Sequence, residues 1–322
     1  MADNDLHVIF GAGPLGLAVM DELVARGRQV RVVTRSGRAA GTSGVEVVRG
    51  DGADPASTRE VCRGAGVVYH CANAAYTEWP EKLPPLMQGI LEGAASAGAK
   101  LVYGDNLYLY GRVRGPMTED LPSAAATVKG RVRAQVAAEL LAAHEVGRVR
   151  ATIGRASDFY GPRVLVSTLG EQVFSAALAG KPANLLGNVD LPHTYTYIGD
   201  FARGLVTLGE RDEALGWAWH VPSAETRTTR ELVEMTYREA GHPAKVRVAG
   251  RTLVAVMSWF SPMMRELREM LYQSEEPFVM DGSRFDRAFT AVATPHEEAV
   301  RRTMSWYRSR MAGKSLSESS GR

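Results

Sequence analysis

The sequence has little that would fix its partners through bulk chemistry. Cysteine is nearly missing: Cys62 and Cys71 are the two thiols in 322 residues. A pair so placed excludes a disulfide framework, matches no zinc-ligand spacing, and suits a reducing compartment. An excess of one charge is missing too, with 38 Lys and Arg against 36 Asp and Glu for a net +2. The arginines are scattered, which removes the electrostatic footprint of a nucleic-acid binder. The most apolar run, Leu253–Phe260, is too short to cross a bilayer. The opening Met-Ala-Asp-Asn-Asp is acidic and runs straight into an apolar strand, so no secretory leader is expected. No internal repeat is found. These absences predict a cytoplasmic chain with no metal site and no membrane or nucleic-acid partner, acting on a small molecule. Length and a 45% hydrophobic content allow a full core and about two domains.

What is present is concentrated at the start. Residues 8–16 read Val-Ile-Phe-Gly-Ala-Gly-Pro-Leu-Gly: an apolar strand runs into three glycines at GxGxxG spacing, and a helical pattern, Leu17–Arg26, follows. Gly11 permits the tight turn, Gly13 lets the backbone approach a pyrophosphate, and Gly16 lets helix and strand pack closely. Pro14 and Leu15 complete the loop, and the helix N-terminus offers free N–H groups to phosphate. The alternative is a purely structural glycine turn in some other α/β sheet. Leu6–Phe10, Gln29–Val33, Val45–Val48, Val67–His70, Lys100–Tyr103 and Val149–Ile153 read as strands with helical patterns between most of them. Asp54-Pro55 opens one helix as N-cap and first position, and an Ala-rich helix is predicted over Ser123–His144. Such alternation predicts an α/β fold with a Rossmann-type doubly wound parallel sheet, and ligands outside the carboxyl ends of its strands.

After Gly161-Pro162 the rhythm becomes irregular. Helices are predicted at Leu165–Ala179, Asp200–Leu208, Thr229–Ala240 and Pro295–Met311, and strands at Thr194–Tyr197, Trp217–Val221 and Lys245–Val248. Leu253–Tyr272 reads as helical with a break at Pro262. The expected division is a nucleotide-binding domain over 1–162, a smaller C-terminal substrate-binding region over 163–311 with some segments returning to the first domain, and a disordered tail over 312–322.

Six landmarks together carry a family resemblance. They are the glycine loop; Gly50-Asp51 after the third strand; His70-Cys71-Ala72 after the fourth; Tyr110-Gly111; RASDFYGP from Arg155 to Pro162; and YIGD from Tyr197 to Asp200. From Leu6 to Leu208, and more loosely to Trp306, the chain resembles the extended, epimerase/dehydratase branch of the short-chain dehydrogenase/reductase superfamily. Its glycine loop departs slightly, since the branch spaces its glycines GxxGxxG and Phe10 stands where the first would fall. The resemblance implies that Asp51 and Gly52 meet an adenine and that Cys71 and Ala72 line the middle of a nicotinamide dinucleotide. The second strand ends Val33-Thr34-Arg35-Ser36, and no acid occurs from Gln29 to Val45. An acid there suits a ribose 2′-hydroxyl and an arginine suits a 2′-phosphate, so Arg35, with Arg38, points to NADP(H) rather than NAD(H). The alternative for Arg35 is a solvated surface side chain. The resemblance also makes a homodimer through two helices per subunit possible, and the Ala-rich helix is compatible with it.

The family's Ser, Tyr and Lys are replaced. The position four before Tyr110 is Asn106, where the resemblance implies Ser or Thr. With Glu139 matching the acid that follows the family's YxxxK helix, Arg131 falls at the Tyr position and Gln135 at the Lys position. No tyrosine lies between Gly111 and Phe159. Arginine stays protonated, so Arg131 can hold an anion but cannot act as an ordinary acid or base. Asn106 can polarise a carbonyl. Tyr108 becomes the candidate proton donor, on one face with Asn106 and Tyr110 if the chain stays extended, and Asp105 is a further candidate. The alternative for each tyrosine is an ordinary packing residue. Family members acting on nucleotide sugars often carry an arginine where this chain has His193, uncharged for much of the time at neutral pH, which reads as a substrate contact or, beside Pro192, as a surface loop residue; Tyr160, Tyr195, Tyr197 and Phe159 would suit a less polar substrate, such as an aromatic or terpenoid carbonyl. Three functions follow: an NADP(H)-dependent oxidoreductase or epimerase-like enzyme on a small organic carbonyl or alcohol; a non-catalytic NADP-binding sensor; or a cofactor-assisted isomerase or lyase with Arg131 on an anionic intermediate.

Overall fold

A computed structural model describes residues 5–39, 41–259 and 261–319. The first half alternates strand and helix. Its elements are β1 (Leu6–Phe10), α1 (Pro14–Ala25), β2 (Gln29–Thr34), β3 (Glu46–Arg49), α2 (Pro55–Val61), β4 (Ala65–His70), α3 (Trp79–Ala97), β5 (Lys100–Asn106), α4 (Val128–Glu145) and β6 (Arg150–Ala156). The second half holds β7 (Asp158–Tyr160), α5 (Glu171–Leu178), β8 (Ala183–Leu186), β9 (Pro192–His193), β10 (Tyr195–Tyr197), α6 (Ile198–Glu210), β11 (Ala218–His220) and β12 (Arg227–Thr228). It closes with α7 (Thr229–Ala240), β13 (Val246–Ala249), α8 (Arg251–Met257), α9 (Pro262–Met270), α10 (Tyr272–Glu275), α11 (Ser283–Phe289) and α12 (His296–Ser319). No described helix is long and apolar enough to cross a membrane.

Seven strands form one parallel sheet in the order β11-β6-β5-β4-β1-β2-β3. The chain winds outward in one direction through β1, β2 and β3, then returns through β4, β5 and β6. The order therefore reverses between β1 and β4, the switch point at which such sheets take their ligands. Strand periodicity sets the two layers: Val8 and Phe10 pack toward α3 and α4 with Met87, Ile90, Val136 and Leu140. Ile9, one residue out of phase, packs the other way with Leu17, Val19, Leu205 and Val206 of α1 and α6. A further core forms around Tyr160, Phe174, Leu232 and Tyr307, mostly from residues after 162. The region after residue 162 also sends α6 back against α1 and β11 back to the sheet edge.

Local chemistry explains where boundaries move. Asp54 caps α2 as expected, its carboxylate accepting the Ala56 N–H at 2.9 Å. The Ala-rich helix starts at Val128 rather than Ser123, because the Thr127 hydroxyl accepts the Gly130 N–H and fixes the N-terminus there. The helix expected from Leu165 starts at Glu171, after extended Gly170. Pro262 does break the apolar segment, opening α9 with Ser261 as its N-cap. The tail expected to be disordered from 312 instead continues α12 to Ser319, since extending an established helix avoids the nucleation cost. Residues 320–322 and 1–4 lie outside the described residues.

Candidate cofactor and active site

The glycine loop leaves β1 at the switch point. Gly11 has φ +101°, and a Cβ built on it would lie 2.8 Å from the Cα of Ala72. Glycine here lets the loop after β1 lie against the loop after β4, where Cys71 N–H donates to the Phe10 carbonyl at 3.0 Å. A Cβ on Gly16 would fall 1.9 Å from the Gly11 carbonyl oxygen. Packing therefore requires glycine at both positions. Gly13 differs: its backbone is ordinary extended (φ −74°, ψ 179°), and an added Cβ would meet no atom within 4 Å. Nothing in the chain's own packing demands glycine there, whereas a closely approaching phosphate would. Pro14 takes the first helical position, α1 has no side-chain cap, and its first turn holds no acid, so its N-terminal dipole is uncompensated. Leu15 packs toward β5, where a Cβ on Gly104 would lie 2.8 Å from its side chain. The residues present fit a nicotinamide dinucleotide.

Arg35 and Arg38 are exposed in the turn after β2, and neither makes an ion pair among the described residues. The Arg38 backbone N–H is held by the Thr34 hydroxyl at 3.1 Å. Asp51 is exposed and accepts the Ala53 N–H at 3.0 Å, which shapes the turn after β3. Gly52 is buried beneath Leu86 and Ile90. Burial pushes the Cys71 thiol well above its usual range and Cys62 up to about 12, so both are poor nucleophiles.

At the end of β5 the strand does not continue. The Asn106 side-chain oxygen accepts the Tyr108 N–H at 3.1 Å, and the chain turns into a 3-10 segment, Tyr108–Tyr110. Asn106, Tyr108 and Tyr110 therefore do not share a face. Tyr110 is buried in a separate network: it receives the Arg155 N–H at 2.9 Å and donates to His220 Nε2 at 2.8 Å. His220 Nδ1 in turn donates to the Asp281 carbonyl at 3.0 Å. With a neutral imidazole the Tyr110 hydroxyl and both His220 nitrogens are satisfied, and burial pushes His220 down to about 4. Asp105, the other candidate donor, is fully buried between Arg155 at 3.3 Å and Arg133 at 3.5 Å.

The register on α4 also differs. Arg131 is exposed and donates to the Ala126 carbonyl, while Gln135 is exposed and bonds Glu139 at 3.0 Å. Both side chains are engaged in local bonds on the exposed side of α4. The inward face runs through Val132, Val136, Ala137 and Leu140, and it also carries Lys129 and Arg133, one turn apart. Arg133 donates to the Tyr103 hydroxyl at 2.6 Å and to Asn73, after β4, at 3.4 Å, and lies 4.2 Å over the Trp79 ring. Lys129 lies 4.4 Å over the Tyr76 ring and is paired with Glu266 and Glu269 of α9. Burial pulls its ammonium below the usual lysine range, against the opposing pull of Glu269. His70, under Tyr103, is pushed down to about 3 by burial and by the Arg133 charge.

Tyr108 stands against Trp79 (6.0 Å between rings), with Tyr76 edge-on to the same indole at 5.0 Å. Burial raises the Tyr108 phenol well above its usual range, helped by Tyr76 and by the charge of Asp158. Asp158 also raises Tyr76 and Tyr272, the latter to about 12, behind the larger effect of burial. Its carboxylate is 3.3 Å from His193 Nε2, at an angle that makes no hydrogen bond. His193, read as a substrate contact or a surface residue, is buried between Tyr195 (4.4 Å) and Phe278 (5.1 Å). Tyr160 and Tyr195 belong to the second core, bonded to His296 at 3.0 Å and to Thr229 at 2.8 Å. They do not offer the apolar substrate wall expected of them, because inward-facing strand positions placed them in the core.

Sequence reasoning missed Lys129, Arg133, Tyr76 and Trp79. The first two were marked by their i, i+4 spacing in phase with Val132, Val136 and Leu140. Among the described residues, no cluster of His, Cys, Asp and Glu could hold a metal ion.

Residues 8–217 match the model of the NAD dependent epimerase/dehydratase family. No curated protein matches the sequence. Among solved structures, the epimerase Mth375 of Methanothermobacter thermautotrophicus is similar over 96% of this chain and 93% of that one (18% identity, TM-score 0.80). The UDP-glucose 4-epimerase of Thermus thermophilus, complexed with NAD, is similar over 94% and 99% (20% identity, TM-score 0.76). The dTDP-glucose 4,6-dehydratase DesIV of Streptomyces venezuelae, with NAD and TYD bound, is similar over 94% and 97% (19% identity, TM-score 0.76). At these identities the likeness is one of fold.

Proposed function

The chain belongs to the NAD dependent epimerase/dehydratase family, and from that premise we propose an NADP(H)-dependent oxidoreductase or epimerase-like enzyme acting on a small organic carbonyl or alcohol. The observation that carries this reading is Gly13, a glycine required by no protein contact at the uncompensated N-terminus of α1. Gly11, Gly13, Pro14, Leu15 and Gly16 would hold the pyrophosphate, and Asp51, Gly52, Cys71 and Ala72 the flanking parts. The similar structures named with NAD support a nicotinamide cofactor. Arg35 and Arg38, without an ion pair among the described residues, support NADP(H), as does the lack of any acid from Gln29 to Val45.

When bound, the nicotinamide supplies or accepts hydride. The chain supplies the rest. Tyr108, directly after the Asn106 turn and beside Tyr76, is assigned as the proton donor; burial keeps its phenol protonated and also makes it a weak acid, so the proton moves only as charge develops on the substrate oxygen. Asn106 has its oxygen committed to the Tyr108 N–H and so turns its amide N–H groups to a substrate oxygen. Lys129 and Arg133 take the positive role expected of Arg131, which is at the surface; the isomerase or lyase reading, which the epimerase/dehydratase family also suits, would use them rather than Arg131 on an anionic intermediate. The test is calorimetric titration with NADP⁺, NADPH, NAD⁺ and NADH. Selective NADP(H) binding is expected, weakened about tenfold or more in Arg35→Ala. Binding to none of the four would overturn the reading, and binding without turnover across a carbonyl panel would move it to the sensor.

A further inference from the structure

The chain's own carboxylates show what the centre beneath α9 can bind. Lys129 is buried, its side chain 2% exposed, and its ion-pair partners, Glu266 and Glu269, both lie on α9, far along the chain. Glu269 also accepts the N–H of Val128, the first residue of α4. Thr127 already caps Gly130, so Glu269 takes an N-terminal amide that the cap leaves free. Lys129 and the N-terminus of α4 thus hold two carboxylates, with Arg133 one turn on and the Tyr76, Trp79 and Tyr108 rings alongside.

The element bringing these carboxylates is held at both ends. Before α8, β13 pairs with β8, and Val254 and Ser258 are buried. Met270, Leu271 and Tyr272 anchor the far end in buried positions, while Leu253 and Trp259 between these anchors are 53% and 74% exposed. α9 rests on the Tyr76–Glu78 turn. A buried ion pair is weak evidence for stability, because desolvation cancels much of the attraction. Exchanging a glutamate for another carboxylate costs little, since the charges beneath stay compensated.

We propose that Lys129 and the N-terminus of α4 recognise a carboxylate on the substrate, and that α9 is a lid whose Glu266 and Glu269 hold this site until that carboxylate displaces them. The proposal rests on the functional reading above for its place in the active centre, and it narrows the substrate to a carboxylate-bearing carbonyl or alcohol.

Malonate serves as probe, titrated calorimetrically without nucleotide so that cofactor binding is scored separately. The E266Q/E269Q double variant is expected to bind malonate about tenfold or more tightly than the parent, because the competing closed state is removed. K129M placed on that background is expected to abolish the gain. In the parent protein, saturating malonate is expected to speed amide exchange across 264–270, a readout that stands even if the variants fold poorly. Equal malonate affinity in parent and folded E266Q/E269Q, or unchanged exchange across α9, overturns the proposal. Loss of nicotinamide binding with the malonate results intact would instead overturn the oxidoreductase reading.

Discussion

Replacing Gly13 with alanine separates what the glycine loop does for the fold from what it does for a ligand. The Gly13 backbone (φ −74°, ψ 179°) is open to any residue, and the new methyl meets nothing within 4 Å. Alanine is a somewhat poorer N-cap than glycine, but it also removes unfolded-state entropy, by about 0.4–1 kcal/mol. The net change should stay within about 1 kcal/mol. For 322 residues the unfolding entropy is about 0.7 kcal/mol per degree, so Tm should move by less than about 2 °C. Gly16→Ala is the contrast, since its methyl would sit 1.9 Å from the Gly11 carbonyl oxygen. That overlap forces α1 away from the loop and should cost about 3 kcal/mol, lowering Tm by about 4 °C or more. Scanning calorimetry reads both. NADPH titration of Gly13→Ala should then show binding weakened about tenfold or more in a protein that melts like its parent, because the methyl enters the space a phosphate would approach. Parent-like NADPH affinity in this variant would refute the placement of the pyrophosphate.

Two further outcomes test the interior. Asp105→Asn leaves the buried Arg133 and Arg155 without their shared carboxylate, and should cost about 3–5 kcal/mol in urea unfolding; adding Arg133→Met should restore part of that. A single variant within about 1 kcal/mol of the parent would show that the three charges are not coupled. His70 and His220 are held below their unfolded pKa, near 6.5, at about 3 and about 4, so the unfolded chain binds more protons as pH falls from 6.5. Stability should therefore decline toward pH 4 by about 1.4 kcal/mol per unit for each histidine, and His220→Gln should remove one share of the slope. Equal slopes for parent and variant would contradict the buried neutral imidazole.

The sequence by itself determined the doubly wound sheet, because period-2 apolar strands, a glycine turn and helix caps are local signals that tertiary packing had no reason to override. All six predicted sheet strands are present, with ends shifted by a few residues at most. Its readings of single side chains were less secure wherever the direction a residue faces depends on distant parts of the chain. Motif spacing points to Arg131 and Gln135, whereas the periodicity of α4 sets the inward face at 129, 132, 133 and 136. Other features were not legible. The Asx turn at Asn106 ended β5 and sent Tyr110 toward His220, a partner on a different strand. Tyr160 and Tyr195 became core only when α7 and α12 covered them. The pairing of Lys129 with Glu266 and Glu269 joins residues with no local relation, and only the path of α9 over α4 decides it. Local interactions choose helix, strand and turn; which charges meet is set by the arrangement of whole elements, and that is where the chemistry of this centre is decided.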